Sequence, residues 1–237
     1  MNAPVKLRSR ILPALAAMTV AATLALAGWE GYRAVLSRPF KSVVFAGDLD
    51  RLSPAELDAL SQAVQSADQP SLAAVREAAR RVPWVRDATV RRRFPDGVEI
   101  TFEAHEALAR WNEQQLVSRR GEVFTAEDAA TLPRFRGPEG VAGAMTEEYP
   151  QIVAALAPVA SALAELRLTA RGAWEVQLES GLTIELGRGD WKTRARRFAA
   201  AWPRLADDAH TARYADLRYS NGFAMRRATE IAAPKKK

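Results

Sequence analysis

Residues 88–103, ATVRRRFPDGVEITFE, hold the pattern that decides the fold of the first half of the chain. Apolar and polar residues alternate on both sides of Pro95-Asp96-Gly97, three residue types that favour a tight turn. Successive side chains of a strand point to opposite faces, so this alternation predicts one buried and one exposed face. We therefore predict a β-hairpin in which Ala88, Val90 and Phe94 share the buried face.

The hairpin carries Arg91-Arg92-Arg93, which taken alone is typical of a basic patch. Four acids lie close by in sequence: Asp87, Asp96, Glu99 and Glu103. We expect them to neutralise the arginines, which makes the triplet a charged strand face rather than a nucleic-acid site.

Two helices are predicted before the hairpin. Ser53-Pro54-Ala55-Glu56 combines a capping serine, a proline at the first helical position and a capping-box glutamate. Ser71 begins the second helix, whose apolar residues recur at helical spacing until Pro83. With a β-rich run at residues 40–46, the predicted order over residues 40–104 is β-α-α-β-β.

The chain after residue 106 predicts a second domain of mixed strands and helices. Short strands separated by turns are expected near residues 108–124, and the Pro- and Gly-rich residues 133–143 indicate an irregular connection. A helix is predicted to begin with Thr146 as its cap and to continue through Leu163, with a kink or break at Pro158.

Strand patterns return after residue 173. A hairpin is predicted over residues 174–186, and Asp190 is expected to cap the helix that follows. Two strands then end the fold, Tyr214–Tyr219 and Phe223–Arg227, joined by a turn at Ser220-Asn221-Gly222. The fold class is thus α+β, and the second sheet is predicted to be largely antiparallel.

The N-terminal region contains nineteen uncharged residues, Ile11–Trp29, preceded by Lys6, Arg8 and Arg10. As a helix this run is about 28 Å long, close to the ~30 Å hydrocarbon core of a bilayer. Cations before the run favour a cytoplasmic N-terminus and a translocated remainder. We predict a single transmembrane helix over these residues.

A cleaved signal peptide has the same order of parts. Ala25-Leu26-Ala27 matches an A-x-A cleavage site ahead of Gly28. The uncharged run is longer than the about 7–15 apolar residues of a signal peptide. Trp29 and Tyr32 also lie where an interfacial aromatic belt is expected. These two features favour an anchor, and cleavage after Ala27 stays open.

The net charge of +6 comes from the two ends of the chain. Lys6, Arg8 and Arg10 supply three cations and Lys235–Lys237 supply three more, and 34 minus 6 leaves 28 cations against 28 acids. The folded part is therefore formally neutral. Because nucleic-acid binding depends on cations that neutralise phosphates, the charge gives no support to that function.

Several enzyme and metal-site classes lack their residues in this chain. The sequence has no cysteine and two histidines, His105 and His210, which argues against disulfides, thiolate metal sites and multi-histidine sites. We interpret His105 as a surface residue at a strand end. The sequence contains no G-x-S-x-G motif and no phosphate-binding P-loop. We therefore predict no catalytic, cofactor-binding or metal-ligating residues and no cofactor.

Taken in order, motifs along nearly the whole chain resemble the FtsQ/DivIB family of bacterial cell-division proteins. In the first half they resemble the family's POTRA domain and lie at residues 43–47, 83–85 and 90–96. In the second half they resemble its β domain and lie at residues 109–112, 121–124, 132–133, 137–140, 186–190 and 214–222. The chain departs from the pattern at Phe94, where relatives commonly have Trp at a buried aromatic position, at Ala107, where Pro is usual, and at Ser118-Arg119-Arg120, in place of a more acidic turn.

The resemblance implies an order of segments. We expect a cytoplasmic tail at 1–10, the transmembrane helix at 11–29, a linker at 30–39, a POTRA domain at 40–106, a β domain at 107–228 and a basic tail at 229–237. It also implies a protein of the inner membrane whose C-terminal bulk is periplasmic and which localises to the division septum.

The function implied by the resemblance is that of a non-catalytic scaffold, which recruits division proteins during septum formation. In the family, FtsB of an FtsB-FtsL pair adds a strand to the last strand of the β domain, here Gly222–Ala228. Other division proteins would bind the POTRA domain. The residues implied to surround the partner are Arg171, Arg218, Tyr219, Ser220, Asn221, Gly222, Phe223, Ala224 and Met225.

Two other protein classes remain as alternatives. A POTRA-containing assembly or secretion component would ordinarily carry repeats of that domain or a long barrel. A periplasmic wall enzyme released by signal cleavage would need a convergent acid, base or nucleophile set, for which the sequence offers no candidate.

Overall fold

The computed structural model describes residues 5–36, 40–67, 71–127, 131–205 and 211–227. The chain forms two compact units, residues 1–104 and 105–237. His210, Ala228 and the predicted basic tail at 229–237 lie outside the described residues.

The first unit begins with helix α1, Val5–Leu36. The side chains of residues 17–33 are exposed. Judged by length and hydropathy together, none of the helices in the described part of the chain could cross a membrane. The span predicted over residues 11–29 therefore stays a prediction.

The rest of the first unit is a three-stranded sheet with two helices, in the predicted order β-α-α-β-β. Its elements are β1 (Ser42–Gly47), α2 (Pro54–Gln65), α3 (Leu72–Ala79), β2 (Val85–Arg93) and β3 (Gly97–Ala104). Strand β3 lies in the centre, parallel to β1 and antiparallel to β2. The predicted hairpin is therefore confirmed as β2 and β3.

Both predicted helix caps in this unit are confirmed. The Ser53 hydroxyl accepts a hydrogen bond from the backbone N–H of Glu56, and the Glu56 carboxylate accepts one from the backbone N–H of Ser53. The Ser71 hydroxyl accepts from the N–H of Ala74 at 3.0 Å. These local bonds satisfy amides that the first turn of a helix leaves unpaired.

One expectation about the hairpin is wrong, and another is borne out only in part. Phe94 is 77 % exposed instead of buried, because it lies in the turn after β2 has ended. Most of the acids expected to neutralise Arg91–Arg93 have other partners: Asp87 pairs with Arg76 and Arg80, Glu103 with Arg86, and Asp96 with Lys41. Glu99 is the acid that lies opposite the triplet, in register with Arg91.

In its described residues, the second unit contains nine strands and two α-helices. In chain order they are β4 (Ala107–Trp111), β5 (Gln115–Ser118), β6 (Val123–Phe124), β7 (Arg134–Arg136), α4 (Ala142–Leu156), β8 (Leu163–Leu168), β9 (Trp174–Leu178), β10 (Thr183–Gly187), α5 (Trp191–Ala201), β11 (Ala212–Asp216) and β12 (Ala224–Arg227).

These strands form one mixed sheet in the order β12-β11-β10-β9-β8-β7-β4-β5-β6. The pairs β10–β11, β7–β8 and β4–β7 are parallel, and the other neighbouring pairs are antiparallel. The mixed α/β character predicted for this half is therefore confirmed, with β12 and β6 as the outermost strands.

One face of the sheet is apolar and packs in the same core as the two helices. Buried residues of both helices belong to this core, among them Ile152 from α4 and Phe198 from α5. The strands contribute every second residue, for example Val176, Ile184 and Ala215. The residues between them, which point to the other face, are mainly polar, as the two-residue period of a strand requires.

The connection before β8 differs from the prediction. Helix α4 begins at Ala142, and Thr146 is buried inside it instead of capping it. The helix ends at Leu156, and Pro158 lies in a 3-10 turn, which confirms the predicted break. Leu163 then opens a strand, because from Ala164 to Leu168 the apolar residues alternate with Glu165 and Arg167, which is the two-residue period of a sheet.

Three further positions need correction. Strand β7 lies inside the predicted irregular connection, between β4 and β8. Strand β11 covers Ala212–Asp216 instead of Tyr214–Tyr219. The His105 side chain is only 11 % exposed, and its ring stacks on Phe124 with 4.2 Å between centroids, so it is not a surface residue.

Candidate partner-binding edge

Among the strands of the described residues, β12 is the outermost at one side of the nine-stranded sheet. It pairs antiparallel with β11, in a register that places Ala224 opposite Asp216 and Met225 opposite Ala215. Met225 packs against the core, and Ala224, Arg226 and Arg227 are exposed. An outermost strand presents a row of N–H and C=O groups on the side away from its neighbour. This row can pair with one more strand.

The turn that leads into β12 is held by helix α5. The Arg197 guanidinium donates hydrogen bonds to the backbone carbonyls of Tyr219, at 2.8 Å, of Ser220, and of Gly222, at 3.3 Å. The Phe223 ring packs edge-on against Phe198, with 5.0 Å between centroids. The start of β12 is therefore fixed by side chains of the helix and by carbonyls that precede the strand.

Arg197 was not among the residues expected at this edge. Its spacing along α5, next to the core residue Phe198, places it at the margin of the buried helix face. This position at the margin of the buried face is the feature of the sequence that could have indicated a tertiary contact of Arg197. Its targets lie 22 to 25 residues further along the chain, so only the tertiary fold reveals them.

The side chain of Arg218 is bound to Asp216. Its Nε and Nη2 atoms lie 2.9 and 2.7 Å from the two carboxylate oxygens, and its backbone N–H donates to Oδ1 at 3.0 Å. The side-chain hydrogen bond from Arg218 lowers the pKa of Asp216, and the same pair raises the pKa of Arg218. The Arg218 side chain is still 58 % exposed. A second carboxylate can therefore approach the guanidinium from solvent.

Gly187 lies directly beneath the stem of Arg218. Its φ is +73°, in the left-handed region, and a Cβ added there would lie 2.7 Å from Cγ of Arg218. Glycine is thus required for two reasons, the backbone conformation and the close passage of the arginine stem.

The neighbouring carboxyl of Glu185 has a raised pKa. Burial is the largest cause, followed by the negative charges of Glu175 and Asp216, which flank it on the adjacent strands. The Asp216 carboxylate is therefore attracted by Arg218 on one side and repelled by the Glu185 carboxylate on the other.

Arg171 lies in the turn between β8 and β9. The turn is closed by a hydrogen bond from the Gly172 N–H to the Thr169 carbonyl at 2.9 Å. Because Trp174 is in register with Gly187, and Glu185 with Asp216, this turn lies at the same end of the sheet as Arg218.

Arg171 is nevertheless not adjacent to the edge. Strands β10 and β11 separate β9 from β12. At ~4.8 Å between strands, this places β9 about 14 Å from β12. The structure thus brings residues 218–225 together at the edge, whereas Arg171 can contact only a partner segment that crosses the end of the sheet.

The exposed aromatic group of this edge is Tyr219, whose surface is 56 % exposed. It follows Arg218 directly and precedes the turn at Ser220, Asn221 and Gly222 that Arg197 holds. A flat aromatic side chain beside an arginine and a free strand edge is a common composition for a protein-binding surface.

Two family models match the chain in the regions of its two units. Residues 38–103 match the POTRA domain of FtsQ type, and residues 109–218 match the C-terminal region of cell division protein FtsQ/DivIB. The second match ends at residue 218, so strand β12 lies beyond it.

Three curated relatives named cell division protein FtsQ illustrate the similarity. The protein of Xanthomonas campestris pv. campestris is 33% identical over 97% of this chain and 83% of its own length. The Escherichia coli protein is 29% identical over 92% and 84%, and the Neisseria gonorrhoeae protein is 40% identical over 65% and 64%. The match thus spans under two thirds of the length of the Neisseria relative.

The two units therefore define a protein with an FtsQ-type POTRA domain followed by an FtsQ/DivIB C-terminal domain. The chain belongs to the FtsQ/DivIB family of bacterial cell-division proteins.

Proposed function

We propose that this chain is a non-catalytic membrane scaffold of the bacterial division machinery, which binds FtsB of an FtsB-FtsL pair during septum formation. The observation that carries the proposal is the outermost strand β12, which starts beside the exposed side chains of Arg218 and Tyr219. Family membership supplies the biological context, and the free strand edge supplies a binding mode.

In this mode an extended partner segment adds a strand next to Ala224–Arg227. Backbone hydrogen bonds give affinity that depends little on sequence, and side chains beside the strand select the partner. Arg218 offers a carboxylate of the partner a charge-assisted hydrogen bond, shared with Asp216. Tyr219 provides an apolar contact. Arg171 adds a second cation for a partner segment that continues across the end of the sheet.

The membrane part of the proposal rests on the sequence. Residues 11–29 carry no charge, and the preceding cations favour an N-terminus on the cytoplasmic side. We place a POTRA domain at 40–106 and a β domain at 107–228 in the periplasm, where FtsB and FtsL would meet them. Other division proteins would bind the POTRA domain.

The first test replaces Tyr219 with alanine. We expect Tyr219→Ala to weaken binding of a periplasmic FtsB segment by about 2 kcal/mol, because an aromatic anchor at the centre of an interface is lost. The measurement is a titration of the full chain in nanodiscs, with thermal unfolding to show that the fold is intact.

Val123→Ala is the matched control. Val123 is a partly exposed apolar residue on β6, the opposite edge of the same sheet, so its loss should leave the affinity unchanged. An affinity of Tyr219→Ala equal to that of the unmodified chain would contradict the proposed edge. Depletion of the protein should produce filamentous cells if the division role is right.

A further inference from the structure

The turn between β2 and β3 exposes a large aromatic side chain. Phe94 is 77 % exposed, the highest value among the large hydrophobic residues whose exposure the structure describes. The partner-edge function does not use it, since it lies in the first unit.

The same turn contacts residues 40–42, which lead into the first strand of the sheet. Phe40 is 1 % exposed, and the guanidinium of Arg92 lies over its ring at 4.7 Å. The backbone N–H of Lys41 donates to the carbonyl of Asp96 at 2.8 Å. Ser42 is then in register with Gly97. The turn therefore lies beside the start of the sheet and not at its far end.

The distance from this point to helix α1 is limited by the chain. The helix ends at Leu36, and four residue steps lead to Phe40. Because consecutive Cα atoms are 3.8 Å apart, the two residues are separated by at most about 15 Å. If residues 11–29 lie in a bilayer, as the proposed function has it, the seven further residues of α1 add about 10 Å between Trp29 and Leu36. Phe40 then lies at most about 25 Å from the end of the span, which leaves the turn within reach of the headgroups when the chain folds back toward the bilayer.

The side chains around the turn suit such a surface. Lys41 is 78 % exposed in its side chain, and Arg91 and Arg93 are exposed. Asp96, which pairs with Lys41 at 3.5 Å, and Glu99, opposite Arg91, are the nearby acids. Cations are attracted to anionic headgroups, and aromatic rings favour the interface between headgroups and hydrocarbon.

We propose that this turn contacts the membrane that holds the anchor. The Phe94 ring inserts at the level of the headgroups, and Arg93 and Lys41 bind phosphates of anionic phospholipids. The inference rests on the membrane part of the proposed function. Its consequence is a second attachment point, which fixes the orientation of the sheet of the first unit above the bilayer.

The test is photocrosslinking of the full chain in proteoliposomes, with p-benzoylphenylalanine introduced at one position at a time. This group keeps an aromatic ring at position 94. Position 24, within the uncharged run, reports on insertion of the anchor. Position 50 is exposed and follows the end of β1 that is remote from the turn, so it is the control for non-specific contact.

We expect lipid adducts by mass spectrometry at positions 94 and 24, and none at position 50. Adducts at position 24 with none at position 94 would overturn the contact of the turn with the membrane and would still support the anchor. Absence of adducts at 24 would overturn the anchor and the contact with it. Crosslinks from position 94 to a division protein in cells, with no lipid adduct, would assign the turn to a protein partner and overturn the proposal.

The role of charge has its own test. In bilayers that contain phosphatidylglycerol, Arg93→Gln should lower the yield of lipid adducts at position 94 about fivefold, the effect of one cation near an anionic surface. In bilayers of phosphatidylcholine alone the same substitution should change little. An equal yield for both proteins in anionic bilayers would refute binding of phosphates by Arg93.

Discussion

The two edge strands of the nine-stranded sheet, β6 and β12, differ in length and in exposure. Strand β6 has two residues, and Phe124 is buried there beneath the ring of His105. The hydroxyl of Ser118 accepts hydrogen bonds from two backbone N–H groups of the same turn. Strand β12 has four residues, most of them exposed. One edge is two residues long and carries a buried side chain, whereas the other is twice as long and mostly exposed.

The difference shows that the turn before an edge strand can be held in place by its own chain while the outer backbone groups of that strand stay accessible. Native sheets usually shorten or cover their edges to avoid unwanted pairing, as at β6. At β12, Arg197 binds carbonyls of the turn before the strand. The turn is thereby ordered before any partner arrives, so less conformational entropy is lost on binding.

The largest effect is expected from proline at the open edge. The N–H groups of neighbouring strand residues point to opposite sides, so one of Ala224→Pro and Met225→Pro removes a donor that faces outward. That variant should weaken binding of the FtsB segment by about 3 kcal/mol, since a hydrogen bond is lost and a partner carbonyl is left unpaired. Titration of each variant in nanodiscs measures this.

Val123→Pro provides the matched proline at the short edge, on β6. If β12 is the docking strand, Val123→Pro leaves the affinity unchanged, even where it lowers the melting temperature. Equal losses of affinity for proline at either edge would mean that the partner does not bind by adding a strand to β12.

A smaller effect is expected from the arginine that orders the turn. Arg197→Gln should weaken binding by about 2 kcal/mol, because hydrogen bonds from a charged donor to the turn carbonyls are lost. Hydrogen exchange of the amides of residues 221–223 should accelerate in the free protein. Arg196→Gln is the control, since Arg196 is the adjacent exposed arginine of the same helix. Unchanged exchange in Arg197→Gln would show that the turn is ordered by other contacts.

The parts of the fold that were predictable depend on neighbours in sequence. Ser53 and Asp190 cap helices through amides three residues away, so their sequence context was sufficient. Strand β7 was missed because it has three residues and pairs in parallel with strands far along the chain. The start of α4 was missed because its cap, Val141, makes no side-chain hydrogen bond.

The same distinction applies to the candidate site. Arg218 and Asp216 are two residues apart, so their pairing is a local feature that the spacing could have indicated. The contacts of Arg197 join a helix to a turn more than twenty residues away, and no local pattern encodes them. The exposure of Phe94 likewise depends on where β2 ends, which alternation alone does not define.

The smallest effect concerns the row of carboxylates that leads to the open edge. Glu175, Glu185 and Asp216 are cross-strand neighbours, and burial followed by the charge of Glu175 raises the pKa of Glu185. A raised pKa means that the folded state holds the proton more tightly than the unfolded state. Stability contributed at this position is therefore present below the unfolded value of 4.5 and is lost as the pH rises through the folded pKa.

Asp216 has the opposite sign. Its pKa is lowered by Arg218, so its contribution is present above the unfolded value of 3.8 and is lost as the pH falls through the folded pKa. At neutral pH the row thus contains one stabilising carboxylate next to the edge and one destabilising carboxylate behind it.

Glu185→Gln separates these two contributions. We expect it to raise the free energy of unfolding at pH 7 by about 0.5 kcal/mol, the size of a like-charge pair across strands that solvent partly screens. The gain should disappear below pH 4.5, where the native carboxyl is protonated. Urea unfolding at several pH values measures it, with Glu147→Gln on the exposed face of α4 as control. A gain of the same size at all pH values would assign the effect to the amide itself and not to charge.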